Sequence, residues 1–423
     1  MAYTLNSALP YEDWELLHNG VFSGEPRLQE IHDYARAHSV APIALLCVVL
    51  TRIAAASHPV TVNAGLGETP LNLYLALVGD SGAGKDTVLN RAEKALPLSR
   101  SEFPITPAER PLGSGESLIT AFNPVAAGND DMPPIPETRV LFTETEISNA
   151  GVLMRREGST LRSNLLKLYS GSTAGSATKS ETTTVQAGSY SCGLVVGVQR
   201  GTAGVLLDNP DDGLPHRFLW TELVDPLRPD GAQPDMTLSS CKLPPPGTVI
   251  HACKEARDET TAKRDIALRS GITGGLDSHH NLTRIRVAAL LAILRGDAEK
   301  GFTPDDWSRA NLIVTYSQIV RTSCEQYLRE RTEVARIEHE QTITNVRRAK
   351  ARTSVYEALK DLKGNEAVNR SPLTNRNRRY REETAEVIDD LLAAGILKIQ
   401  QGDEEGKYLQ RGENWGDFAS SFS

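Results

Sequence analysis

The sequence predicts an α/β protein: a largely parallel sheet, a helical subdomain after it, and a winged helix at the C-terminal end. Three observations predict this. Short apolar runs alternate with helically spaced segments between residues 66 and 250. The first of those runs leads into a glycine-rich loop and then a helix, "LALVGDSGAGKDT" (75–87). Residues 341–423 read as helix–turn–helix followed by a β-hairpin. The expected organisation is a helical segment over 1–65, a phosphate-loop core over 66–250, a helical lid over 251–340 and the winged helix over 341–423.

In the first segment, "PRLQEIHDYARAHSV" carries helical spacing, and "SVAPIALLCVVLTRIAAA" (39–56) is an apolar run broken by Pro42 and Arg52. The break favours a buried helix over a membrane span. "NLYLALV" (72–78) is a short apolar run ending in glycine, as a buried parallel strand would be. "TVLNRAEKAL" continues as a helix through Val88, Leu89, Ala92 and Leu96. Further strands are expected within "TRVLFTETE" (138–146), "SCGLVVGVQ" (191–199) and "HRFLWTEL" (216–223). Proline-rich connectors fill 225–249. Two helices then follow, in "TRIRVAALLAILRG" (283–296) and "DDWSRANLIVTYSQIVRTSCEQYL" (305–328), and a polar helix over 329–350 leads to the tail.

The chain of 423 residues is 39% hydrophobic and 24% charged, an ordinary globular balance. Its net charge of −8 excludes a molecule that is polybasic throughout, so any nucleic-acid contact must be local. Such a patch exists: residues 343–381 hold eleven Lys/Arg against three acids. The N-terminal residues lack a basic region followed by an apolar core, so no secretion signal is expected. Five scattered cysteines without a C-x-x-C argue against a disulfide framework or zinc site, and fit a cytoplasmic location.

The chemistry begins at Gly79-x-x-x-x-Gly84-Lys85. Glycines let backbone N–H groups of Asp80, Ser81, Gly82 and Ala83 turn around phosphates, and the helix N-terminus adds partial positive charge. Lys85 would reach the β and γ oxygens of ATP. Asp86 stands where a hydroxyl usually ligates Mg²⁺, and Thr87 offers that hydroxyl one residue later. Either Thr87 takes the role, or Asp86 ligates the ion directly or through water. A plain first-turn acid is the alternative.

Hydrolysis also needs an acid near the metal and a group that polarises water. Glu144 and Glu146 end an apolar strand on one side by period two, and either one could assist Mg²⁺ or orient the water. Gln199 ends another strand, where it could sense the γ-phosphate. Arg217 sits at a Gly/Pro-marked turn and could act in trans on a neighbour's nucleotide. Arg284 and Arg286 begin an amphipathic helix from which they could reach phosphates.

Taken in order, "LNLYLALVGDSGAGK", "VLFTETE", "LLKLYSG" (165–171), "GLVVGVQ" and "GLPHRFLW" resemble the phage- and mobile-element P-loop replication ATPases, a helicase-like group of domains of unknown function, many fused to primase–polymerase modules. The lid and arginine pattern are similar to those of minichromosome-maintenance-type AAA+ helicases. The resemblance covers about residues 30–330. It implies an AAA+-like or RecA-like core, ATP and Mg²⁺, hydrolysis between subunits of a hexameric ring, and translocation on DNA in a bacterial host. It also implies that Lys85 is the phosphate lysine, Glu144 or Glu146 the acidic site, Gln199 the sensor and Arg217 the trans finger. Asp86 departs from the pattern. No primase module is present, so a separate primase would be a partner.

Arg376, Arg378, Arg379 and Arg381 lie near the start of the second tail helix, where duplex phosphates would be met. "RREGSTLR" (155–162) and "GSATKSETTTV" (175–185) are candidate loops gripping single strands, through Arg155, Arg156 and Lys179. The functional expectation is a DNA-translocating ATPase, a replicative or initiator helicase. An ATP-switched DNA-binding regulator or helicase loader is the alternative, and a small-molecule kinase a third class.

Overall fold

The computed structural model describes residues 7–122, 137–177, 182–209, 213–231, 236–271, 275–363, 366–375, 380–401 and 403–422. Its centre is a five-stranded sheet of β1 (Leu73–Val78), β2 (Ala108–Pro111), β3 (Arg139–Glu144), β4 (Ser191–Val198) and β5 (Phe218–Glu222). The order across the sheet is β5-β1-β4-β3-β2, and every pairing is parallel. Four of these strands are the apolar runs expected above. The fifth, β2, is the polar sequence Ala-Glu-Arg-Pro, and it carries no apolar signal because it is a largely exposed edge strand.

Helices α1 (Tyr11–Phe22), α2 (Pro26–Ala37) and α3 (Pro42–Ala56) precede the sheet. All fifteen residues of α3 are buried, and the helix packs against β1, β3, β4 and β5. Burying each large aliphatic side chain contributes about 1.5–3 kcal/mol, so α3 is a central part of the core. The approach is close where β4 has no side chain: a Cβ on Gly193 would stand 2.8 Å from the Thr51 carbonyl oxygen. Helix α4 (Lys85–Ala95) packs beside α3, α6 (Ile147–Met154) meets β3 and β4, and α7 (Leu161–Ser170), which packs with α5 (Gly115–Thr120), meets the other face, where the Tyr74 hydroxyl donates to the Leu165 carbonyl at 2.8 Å. Cover on both faces explains why β1 and β4 are buried along their whole length.

Helices α8 (Lys254–Ser270), α9 (Gly275–Arg295) and α10 (Pro304–Leu359) follow. The two helical stretches expected over 305–328 and 329–350 are one continuous helix, α10. Helix α9 packs against α3. By its contacts the chain divides into two units, Met1–Leu328 and Arg329–Ser423. The expected N-terminal segment, core and most of the expected lid fall inside the first.

No single helix among the described residues is long and apolar enough to cross a membrane. The bent pair α2–α3 is apolar enough by composition, but α3 is spent on the sheet. All five cysteines are free thiols, and Cys47, Cys192, Cys241 and Cys324 are buried.

The second unit has its own apolar core, including Val355, Leu359, Ile388, Leu397 and Leu409. Beyond α10 it contains β6 (Val368–Asn369), α11 (Arg370–Asn375), α12 (Arg381–Ala393), β7 (Leu397–Ile399), β8 (Tyr408–Arg411) and α13 (Trp415–Ser420). The strands form an antiparallel sheet in the order β6-β8-β7. Helix α12 gives way to β7 through Gly395, whose φ of 66° favours glycine.

Replacing Gly193 by Ala should destabilise the first unit by about 1–3 kcal/mol, because the added methyl overpacks the α3–β4 contact. A lowered urea midpoint with an unchanged m-value would register it.

Candidate phosphate-binding site

All five strands point their C-terminal ends to one edge of the sheet, and the candidate site lies there. The chain leaves β1 at Gly79 and enters α4 at Lys85. Gly84 caps α4 with φ 90°, and Gly82 has φ 80°, so both occupy the left-handed region that a side chain would strain. Asp80, Ser81, Gly82 and Ala83 are exposed, leaving the loop open to a ligand. The Lys85 side chain is buried and folds back across the loop. Its ammonium donates to the carbonyls of Gly79 at 2.8 Å and Asp80 at 3.1 Å. A cation held beside a helix N-terminus, inside a turn with open backbone, is suited to phosphate oxygens.

Lys85 can lie this low because β4 is bare beneath it. A Cβ on Gly197 would come within 2.8 Å of the Lys85 Cδ and would collide with the Thr145 carbonyl oxygen. The order β1-β4-β3 also brings Gln199 between the loop strand and the acidic strand. The Gln199 amide donates to the two carboxylate oxygens of Glu146 at 3.3 and 3.4 Å.

The two glutamates have different partners. The Glu144 carboxylate accepts the backbone N–H of Glu146 at 3.2 Å and the Asn149 side-chain amide at 3.1 Å. It thereby engages the residue that precedes α6 and a side chain on the first turn of that helix. Glu146 precedes that helix and meets Gln199. Asp86 and Thr87 are exposed on the first turn of α4, with Asp86 as its acid. Among the described residues, no group of three or more His, Cys, Asp or Glu side chains comes together as a metal cage.

Arg217 is placed elsewhere. It immediately precedes β5, whose Phe218 pairs with Tyr74 and whose Glu222 pairs with Val78. Arg217 therefore lies at the N-terminal end of the sheet, roughly 17 Å along the strands from the end that carries its own loop. Burial, with added repulsion from Arg217 and Arg286, holds the neighbouring His279 imidazole down to about 4, so it is neutral.

Arg284 and Arg286 have partners away from the loop. Arg284 pairs with Glu259 at 3.0 Å, and its guanidinium carbon lies 3.5 Å from the centre of the Trp307 ring. Arg286 is fully buried and donates to the carbonyls of Asn72 at 2.8 Å and Tyr169 at 3.0 Å. Both arginines stitch α9 to its neighbours, and their hydrogen-bonding capacity is directed there instead of toward the loop. Their placement on an amphipathic helix gave no sign of which carboxylate or carbonyl would meet them.

Of the DNA-contact candidates, Arg155 and Arg156 are exposed at the C-terminal end of α6, the helix that Glu146 precedes. The polar segment 175–185 is not a simple loop. It contains antiparallel strands, Ala174–Ala177 and Thr182–Val185. Lys179 lies outside the described residues, as do Arg376, Arg378 and Arg379. Arg381 is exposed at the start of α12. The basic patch is less free than its sequence count implied. Arg347 pairs with Glu383 at 2.9 Å, Arg348 with Asp390, and Arg370 with Asp389. All three acids lie on α12, and residues 382–423 carry ten acids against three Lys/Arg.

A pair that the sequence reading missed also borders the loop. Glu222 ends β5 almost fully buried, and Arg200, next to Gln199, pairs with it at 2.6 Å. Glu222 also accepts the Ser7 hydroxyl at 2.9 Å and the Ala8 N–H at 3.0 Å. A charged residue inside the apolar run "FLWTEL" was the available signal.

A comparison of the chain with protein-family models and with curated proteins gave no match.

Gly197→Ala should displace the Lys85 side chain and, through the clash with the Thr145 carbonyl, lower the urea midpoint at least as far as Gly193→Ala does. Affinity for a triphosphate, measured by calorimetry, is expected to fall at least about tenfold, the loss of one charge-assisted hydrogen bond.

Proposed function

We propose that this chain is an ATP-driven DNA translocase, a ring-forming replicative or initiator helicase with a P-loop core and a C-terminal winged helix. One observation carries the reading: the strand order gathers the Lys85 loop, Gln199 and Glu146 at one sheet edge. Lys85 would exchange its carbonyl partners for β and γ oxygens. Glu146 is the better placed of the two glutamates to orient a water, since Glu144 is engaged by α6. Release of Glu146 by Gln199 when the γ-phosphate arrives would link nucleotide occupancy to that step. Asp86, Thr87 and Glu144 are hard oxygen donors of the kind Mg²⁺ accepts, and the ion would neutralise charge on the phosphates when bound.

The position of Arg217 supports hydrolysis between subunits. An arginine at the far end of the sheet serves a neighbour's nucleotide and not its own. The helix–helix–hairpin order of the second unit, with its antiparallel sheet, supports the winged-helix reading. Duplex phosphates would meet its basic residues, and single strands would run past Arg155 and Arg156. A separate primase would complete the replication function.

The second reading is an ATP-switched DNA-binding regulator or loader. The self-satisfied loop favours it, because Lys85 and Glu146 both have partners before any nucleotide arrives.

ATP turnover with and without single-stranded DNA, at two salt concentrations, separates these. Strong salt-sensitive stimulation is expected for the translocase. Turnover indifferent to DNA would transfer the case to the switch. Lys85→Ala should lower turnover at least about a hundredfold. Arg217→Ala should lower it by about a thousandfold while nucleotide affinity stays unchanged. Asp389→Asn with Asp390→Asn should release Arg370 and Arg348. Duplex affinity should then rise, and its dependence on log salt should steepen by about one unit per arginine freed.

A further inference from the structure

Helices α1 and α2 border a cavity of about 440 Å³, within the range of small-molecule sites. Helical spacing builds its walls. Glu15, His18 and Phe22 recur at intervals of three and four along α1, and Gln29, His32 and Arg36 do so along α2. The helices meet through the His18 and His32 rings, which stand edge to face with centroids 5.4 Å apart.

The charged and titratable groups of the wall are unevenly committed. The Arg36 guanidinium is held by both carboxylate oxygens of Asp225, at 2.9 and 3.1 Å. The nearby Arg228 donates to the Arg36 carbonyl at 2.9 Å and to the Ser39 hydroxyl at 3.0 Å. His32 Nδ1 stands 2.8 Å from a carboxylate oxygen of Asp33, which can only accept. Nδ1 therefore carries the hydrogen, and the neutral ring keeps its lone pair at Nε2. Among the described residues neither that nitrogen nor the exposed Glu15 carboxylate has a partner. His18 is 5% exposed, and neither of its ring nitrogens is hydrogen-bonded. Burial holds its imidazole down to about 4, so the ring is neutral and one nitrogen is an acceptor without a donor. Buried polar groups are normally paired. Tyr11, Asn19 and Ser23, exposed around the cavity, can donate or accept and set no preference.

We infer that the α1–α2 cavity is a binding site for a guanidinium group, with Glu15 as its counter-charge and the His18 and His32 rings in its wall. A guanidinium is a flat cation with N–H donors and no acceptor. It complements an open carboxylate, an open imidazole nitrogen and aromatic rings. It can meet both oxygens of Glu15 and lie against the ring faces. An ammonium has no flat face, and an anion would be repelled by Glu15. Nothing in this site depends on the nucleotide reading.

Methylguanidinium, N-acetylarginine methylamide and methylurea are titrated into the full-length chain at low salt. Binding is read from the ring-nitrogen NMR shifts of His18 and His32, assigned with His18→Phe and His32→Phe. Methylguanidinium should shift both rings. Methylurea keeps the flat shape without the charge and should bind at least about tenfold more weakly. Glu15→Gln should weaken methylguanidinium at least about fivefold with an unchanged urea midpoint. Glu12→Gln, an exposed acid of the same helix outside the cavity wall, should leave the affinity unchanged. Equal losses from the two glutamates, equal affinity for methylurea, or no shift at either ring would overturn the site. With those conditions met, binding of the acetylarginine amide as tightly as methylguanidinium supports an arginine side chain of a partner as the occupant, and its exclusion supports a free small guanidine.

Discussion

Strand β4 and the two places where it lacks a side chain control the first unit. At Gly193 the bare backbone admits α3, so a fifteen-residue apolar helix can lie flat on the sheet and supply much of the core. At Gly197 the same absence makes room for the Lys85 stem. The fold and the glycine-rich loop are therefore coupled through one central strand. Position within the sheet matters as much as composition, because β4 separates the loop strand from the acidic strand and carries Gln199 between them.

Parallel strands impose a second constraint. Every C-terminal end lies at one edge, so the loop, Glu146 and Gln199 converge there without any special sequence between them. The same geometry sends the residue before β5 to the opposite edge. Arg217 cannot turn back to its own loop without dismantling the pairing of Phe218 with Tyr74. In the proposed motor, the two halves of one hydrolytic site would belong to two copies, and the spacing between them would be set by the length of the strands.

Electrostatics in the second unit illustrates how a local window misleads. Counting charge from 343 to 381 isolates the basic residues from the helix that answers them. Helix α12 brings Glu383, Asp389 and Asp390 onto Arg347, Arg370 and Arg348. Exposed ion pairs of this kind contribute about 0–1 kcal/mol each, so they are weak locks. In the proposed DNA complex a phosphate backbone would compete for such arginines, and the strength of binding would depend on that competition.

Much of the architecture was legible in the residues themselves. Four of the five central strands are continuous apolar runs, since a strand covered on both faces has no polar side to display. The buried helix α3, the loop, and the helix–Gly395–strand passage in the tail are equally local, because each depends on periodicity or on a backbone angle only glycine takes readily. The edge strand β2 was illegible, since a largely exposed edge selects no apolar pattern. The partners of Arg284 and Arg286, the separate duties of Glu144 and Glu146, and the buried Arg200–Glu222 pair were decided only in three dimensions. A side chain's type states what it can bond, but which group stands 3 Å from it depends on strand order and packing between residues far apart in the chain.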